Sequence, residues 1–478
     1  MELRDIFSYI PEVRTPEEKK VDFKIKLKWT LTILVLFFVL ANVSLFGLSN
    51  NALERFEYLA IILGTDFGSI ISLGVGPIVM ASIILQLLTG AGILNIDLTT
   101  VEGKKFFQGL QKILVFFFIV FEAMVYVLMQ GLQPAPGFAL VLIVQLILGG
   151  LAIFYMSEVT DKWGFGSGVS LFIGAGISWG LMTKAFQFVN QQGRNCLLEF
   201  STVPCSGKVL VLIQSITNRY SLEFISAFAA ILSTILIFLL VVWAQSLKVE
   251  IPLSFGRVRG YGIKWPLSFF YTSVIPVILT AALIANLQLL GGILENAATP
   301  CFTGDECGGV AKFASYFGFL GKFVQGQPVS GFAFWLGSTN LLELTIRGGF
   351  LPIYLIQGVT HTIFFMLFST VFAVFWVKTS GIDAKAQAHK IASSGLQVAG
   401  FRQDERVLES IFDRYIMPLT IMGGLAIGFL ASVTNLLGAL VSGTAILLVI
   451  MITFQFYQNI AKQHQTDIFP AMRKFISD

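Results

Sequence analysis

The chain has 478 residues, 55% of them hydrophobic and only 13% charged, with a formal net charge of +4 at pH 7. That balance excludes a soluble domain with a fully water-facing surface and describes a polytopic membrane protein. The three histidines, His361, His389 and His464, are scattered along the chain, so no metal-ligand spacing is present.

Met1 to Lys28 is polar and charged, and Trp29 to Leu48 follows as a run of about the 20 residues that cross hydrocarbon. No cleavable leader is expected; the first span is its own membrane signal. Hydropathy predicts further spans near 75–94, 112–130, 136–157, 169–189, 223–244, 267–288, 351–377, 415–435 and 439–460, ten in all. The fold class predicted is all-α. Val310 to Leu336 is softer and interrupted by glycine, which suits a re-entrant element.

Of the 32 Lys and Arg residues, 24 fall on the side that holds the termini and 8 on the other. By the positive-inside rule both termini are expected in the cytoplasm. Five spans precede the polar loop of about 190–222 and five follow it, so the second block enters the membrane inverted relative to the first. The expected organisation is an N-terminal half (1–190), an external hinge loop (191–222) and a C-terminal half (223–478). All four cysteines lie in the two long external loops, which suggests disulfides. Three connectivities exist, and the short separations favour Cys196 with Cys205 and Cys301 with Cys307; four unpaired thiols are the alternative.

The segment "GTDFGSIISLGVGPIVMASIILQLLTG" (64–90) is apolar, yet its first half carries Gly64, Gly68, Gly74, Gly76 and Asp66 and closes on Pro77. These residues disfavour a continuous helix, whereas Pro77 suits the first turn of one running Ile78 to Ile93. Non-helical backbone at membrane depth survives only buried in protein or lining a cavity, so Ala52 to Gly74 is expected to enter a funnel as a stopper. "GFGSG" (164–168) lacks the Lys and the strand of a phosphate loop and is better read as a tight connection.

Polar residues at membrane depth are Ser82, Gln86, Glu122, Asn286 and Gln288. An ionised group at the bilayer centre costs roughly 2.5 to 3.5 kcal/mol, which turns such residues toward a bundle interior or an aqueous path. For Ser and Gln, interhelical hydrogen bonds of about 0.6 kcal/mol are an equally good account. Two long loops on the termini side, 245–266 and 377–414, are basic at their tips, with Arg257, Arg259, Arg402, Arg406 and Arg414. They suit either anionic lipid or a large anionic partner such as ribosomal RNA.

"GSIISLGVGPIVMASIILQLL" (68–88) resembles the second-span signature of the SecY family, the large subunit of the protein-conducting channel, and "EVTDKWGFGSGVSLFI" (158–173) resembles a second signature. "KLKWT", "FQGLQK", "VEIPLSFGRVRG", "IPVILTAALIANLQL" and "GIDAKAQAHKIASSG" are also similar to family segments, in the archaeal and eukaryotic branch. The resemblance covers nearly the whole chain apart from the two long external loops.

It implies two halves around an hourglass pore, with a plug over Ala52 to Phe67 that includes Leu53, Phe56, Leu59, Ile62, Thr65 and Phe67. It also implies a constriction ring of Val75, Val79, Val169, Ile173, Ile278 and Leu448. The pairs 75/79 and 169/173 are i, i+4 and point the same way, and branched apolar side chains exclude water and ions by dewetting. A lateral gate lined by Ser82, Gln86, Glu122, Asn286 and Gln288 is implied, with Met80 standing where members commonly carry a small hydroxyl residue.

Arg257, Arg259, Lys264, Arg402, Arg406 and Arg414 become ribosome contacts by the same resemblance, and a nascent polypeptide, a one-span SecE-type subunit, a small beta-type subunit and membrane lipids become partners. A passive channel without cofactor is expected, in the plasma membrane or alternatively the endoplasmic reticulum. A secondary transporter with inverted repeats is the rival reading, and an intramembrane hydrolase is weaker because no acidic pair or Ser/His arrangement lies on neighbouring spans.

Overall fold

A computed structural model describes residues 11–17, 21–51, 67–90, 93–94, 96, 100–129, 131–189, 194–196, 205–255, 262–270, 272, 275–303, 316–324, 327–393, 396–398 and 405–468. Helix α1 (Phe23–Ala41) ends where Asn42 turns its side-chain amide onto the carbonyl of Phe38, 2.8 Å away. It therefore starts and stops earlier than hydropathy predicts, because the residues after it leave the helix for strand β1 (Leu48–Asn51). Helix α2 (Gly76–Gly90) is short and stops before the predicted Ile93. Helix α3 (Val101–Leu128) is capped by Thr100, whose hydroxyl accepts from the amide of Gly103. Strand β2 (Leu132–Pro134) pairs antiparallel with β1. Helices α4 (Ala139–Trp163) and α5 (Gly168–Phe186) follow.

A short helix α6 (Lys208–Asn218) turns through Arg219, at φ 59°, into α7 (Ser221–Ser246). The basic loop after it is described on either side of its tip. It is a hairpin of β3 (Lys248–Phe255) and β4 (Gly262–Ser268), paired from Lys248 with Ser268 to Ser254 with Gly262. Leu267 and Ser268, which hydropathy assigns to the seventh span, instead end strand β4, and helix α8 (Ile275–Thr303) begins at Ile275 and Pro276. A 3-10 turn (Gly318–Leu320) and the two-residue strands β5 (Phe323–Val324) and β6 (Gln327–Pro328) lead to the short helices α9 (Phe332–Leu336) and α10 (Leu341–Ile346). The chain then enters α11 (Pro352–Thr379), α12 (Ala384–Ser393), strand β7 (Leu396–Val398), α13 (Glu405–Leu436) and α14 (Gly443–Ile468).

Among the described residues, eight helices are long and apolar enough to cross a membrane. Helix α1, with Lys24, Lys26 and Lys28, and the 15-residue α2 fall outside that count. One apolar cluster runs through the bundle, and helices from both ends of the chain contribute to it. They meet along two seams: α2 packs against α8 and α11, and α5 packs against α14. A second cluster, around Phe412 and Leu408, joins β3 and β4 to α11, α12 and α13, with Trp265 edge-on to Phe412 at 5.2 Å. Below, the face carrying residues 11–17 is called the N-terminal face.

Candidate functional site

The approach to α2 is a chain of tight turns rather than a helix. Gly68 and Gly74 have φ of 101° and 54°, and the amides of Ser72, Gly74 and Gly76 donate to the carbonyls of Ser69, Ile71 and Leu73. Leu45 and Ile70 tie this segment to the end of α1 through backbone bonds at 2.9 Å to Gly68 and Val43. Gly149 of α4 lies directly beneath it, and a β-carbon there would overlap the carbonyl oxygen of Ile70. The break is thus packed inside protein, as its backbone requires.

The turns deliver Val75 and Val79 into the main core, 0% and 3% exposed. Helix α5 brings Ile173, α8 brings Ile278 and α14 brings Leu448, all buried, and Val169 packs at the edge of the same cluster. All six positions of the implied ring therefore lie in or against the main core of the bundle. Three of them, Val79, Val169 and Ile278, line a cavity of about 690 Å³ that continues past Ser82, Gln86 and Gln111 to Lys112 and Glu158, and its opening beside Glu12 on the N-terminal face is called the mouth below.

The five polar positions of the implied gate have different surroundings. Ser82 donates to Ile78 and accepts from the amide of Gln111 at 2.8 Å, and with Gln86 it lines the mouth. Glu122 is buried beside Gly76, where a β-carbon would stand 3.2 Å from its Oε2. Asn286 donates to its own helix at Ala282, and Gln288 borders a different cavity, of about 790 Å³, on the opposite face. Gln111 went unnoticed in the sequence, lying in a polar helix start where one more glutamine carries no signal.

At the rim of the mouth the N-terminal segment is strapped down by charge. Lys162 reaches Glu12 at 2.6 Å and the carbonyl of Val13 at 2.5 Å, while Lys112 reaches Glu158 at 2.8 Å and Glu12 at 3.3 Å. The amide of Val13 donates to Glu158, and the indole of Trp163 donates to the carbonyl of Arg14. The hydrogen bond from Lys162 is the main reason that Glu12 titrates below the ordinary carboxylate range. The i, i+4 spacing of Glu158 and Lys162 was the available signal. The glycine loop that follows is a tight connection: Asp161 accepts from the amide of Gly168, and Gly166 has φ 95°.

Helix α9 packs beside α11, which holds it by its backbone. Gln357 donates to the carbonyl of Phe334 at 2.8 Å and accepts from Thr339 at 2.6 Å, and Nδ1 of His361 lies 2.6 Å from the carbonyl of Leu336. Asn435 accepts from the amide of Thr444, which leaves its amide to donate to Nε2 of His361 at 3.3 Å. His361 is therefore a neutral relay between α9 and α13, carrying its proton on Nδ1.

Cys196 and Cys205 form a disulfide, with Cα atoms 5.3 Å apart. The backbone places Cys301 in the last turn of α8 and Lys264 in β4 opposite Pro252; Cys307 is outside the described residues. Arg406 and Arg414 lie on α13, whereas Arg257, Arg259 and Arg402 are outside the described residues. Of the plug positions, Phe67 is buried, its ring 6.4 Å from that of Tyr126, and Leu53, Phe56, Leu59, Ile62 and Thr65 are outside the described residues.

A bundle of membrane-spanning helices around a cavity lined in part by Val79, Val169 and Ile278 is the architecture of a membrane channel. The SecY family model matches residues 69–457. The protein translocase subunit SecY of Methanothermobacter thermautotrophicus is 39% identical over 478 residues, covering 99% of this chain and 98% of the relative. A solved structure of a protein conducting channel is 33% identical, with a TM-score of 0.81, covering 98% of this chain and 99% of that one. Sec61 in the canine ribosome-channel complex from the endoplasmic reticulum is 33% identical, with a TM-score of 0.77 and the same coverage. The chain belongs to the SecY family.

Proposed function

We propose that this chain is the pore-forming subunit of a protein translocase, passing unfolded polypeptides across the membrane and releasing hydrophobic segments sideways into it. One observation supports the assignment of the pore: Val75, Val79, Ile173, Ile278 and Leu448, from both ends of the chain, share one buried cluster, and Val79 and Ile278 of that cluster also line the mouth. A collar of such side chains excludes ions by dewetting and offers a passing chain no charge to adhere to. The channel is passive, and its driving force comes from elsewhere.

In this reading residues 1–190 and 223–478 are two halves hinged at 191–222, with Ala52 to Phe67 as the plug. The lateral gate is the seam where α2 meets α8 and α11, and parting it lets a segment choose lipid by its apolar area, at about 25 cal/mol per Å². An apolar pocket of about 380 Å³ between α1, α5 and α14, on the far seam, suits the single helix of a SecE-type subunit. A small beta-type subunit is a further partner. The basic loops carry Arg257, Arg259, Lys264, Arg402, Arg406 and Arg414 toward a ribosome, as the likeness to a ribosome-bound Sec61 channel supports. Likeness to archaeal relatives supports a plasma-membrane location, with both termini cytoplasmic by the charge bias.

The test is a photoreactive side chain at Ile278 in channels holding a stalled nascent chain. Crosslinks to the nascent chain at Ile278, and none at Ile237 of α7, are expected; crosslinks to lipid alone would reject the pore.

A further inference from the structure

Helix α6 turns an unusual pair of polar residues inward. Leu210 and Val211 pack against the Cys196–Cys205 disulfide, and beside them Gln214, 7% exposed, accepts from the amide of Cys205 at 3.0 Å while Ser215, 4% exposed, donates to the carbonyl of Leu212. Its outer side is apolar, with Ile213 and Ile216 exposed by 49% and 61%. Thr217, on that same side, folds its hydroxyl back onto the carbonyl of Ile213. Positions 213, 216 and 217 recur at i, i+3 and i+4, so they share one side of the helix. In water this arrangement leaves two isoleucines wet while Gln214 and Ser215 are buried. The reverse would be expected of an amphipathic helix on a soluble surface.

Three further features identify what covers the apolar side. Helix α6 packs against α5 and α7, both of them membrane spans. Beyond the turn, the adjoining start of α7 also exposes large apolar side chains, Leu222, Ile225 and Phe228. The turn between the two helices carries Arg219 and the exposed Tyr220, the pair of residue types that anchors a chain at the headgroup level.

We infer that α6 is a lipid-embedded element: it enters the leaflet opposite the N-terminal face alongside α7, with Ile213 and Ile216 among acyl chains and Arg219 at the lipid phosphates. The connection between the two sets of spans is then held by the bilayer as well as by the Cys196–Cys205 disulfide. This inference requires only that the chain span a membrane, so it stands or falls separately from the collar.

The test uses the full chain, reconstituted in vesicles of phosphatidylcholine and phosphatidylglycerol, with nitroxide labels on I213C and I216C. I225C on α7 supplies the lipid reference, E17C the water reference, and the unsubstituted chain the labelling blank. Relaxation at 213 and 216 dominated by oxygen, as at 225, is the expected result. Relaxation dominated by a soluble nickel chelate, as at 17, would put that side in water and overturn the inference. Shielding from both reagents would show that protein covers it, which overturns the lipid occupant equally.

Discussion

Replacing Ile278 by alanine distinguishes a seal from an ordinary core residue. Ile278 is 6% exposed and borders the mouth beside Val79 and Val169. The change removes three carbons. In a bilayer most of the water-transfer contribution cancels, because separated helices remain among acyl chains. The cost is then set by the space left behind: at about 24 cal/mol per Å³, a void of roughly 80 Å³ costs about 2 kcal/mol. Ile237 of α7 is 3% exposed and belongs to the same cluster but does not border the mouth, so Ile237→Ala removes the same atoms without opening a water path. Thermal unfolding of purified channels and ion current across planar bilayers are measured on both variants. Both should lose stability to a similar extent, and only Ile278→Ala should leak, with a Val79→Gly, Ile278→Gly double variant leaking more. Equal currents from the two alanine variants, or a silent double variant, would refute the collar.

The N-terminal strap should release in acid. Because Glu12 is held below the ordinary carboxylate range, its grip on Lys162 is complete above that range and is lost as the pH falls through the lowered value. Hydrogen exchange at the Val13 amide should quicken over that window, and E158Q should quicken it already at neutral pH. Gly149→Ala drives a methyl into the carbonyl of Ile70 and should cost about 1–3 kcal/mol by thermal unfolding, whereas Gly318→Ala, with open space around it, should stay within about 0.5 kcal/mol. His361→Leu strips the partner from the carbonyl of Leu336 and the amide of Asn435, at about 1–3 kcal/mol. Exchange at the amides of residues 332–336 should rise with it.

Much of this architecture is legible in the chain. Hydropathy finds the long helices, and glycine and proline find the break before α2, whereas Val75/Val79 and Val169/Ile173 come from the family resemblance, with which their i, i+4 spacing agrees. That Ile278 and Leu448 share a buried cluster with them is a matter of tertiary packing, which no local period encodes. Leu267 and Ser268 mislead because a strand end and a span start share apolar composition, and pairing with β3 separates them. The surroundings of the polar gate positions were equally hidden, since a polar residue at membrane depth says that it turns inward but not which neighbour it meets. His361 reads as a stray histidine until α9 folds back to supply a carbonyl.

The short strand β7 has a mechanical consequence. By pairing Leu396 to Val398 with Phe255, Ser254 and Leu253, it fastens the loop after α11 to the hairpin after α7. Two projections separated by more than a hundred residues become a single handle, rooted through Trp265 and Phe412 in α13. A load applied to β3 or β7 is delivered to α11, α12 and α13 together, and it reaches α2, on the far side of the seam, through the contacts of α11 and α8 with it.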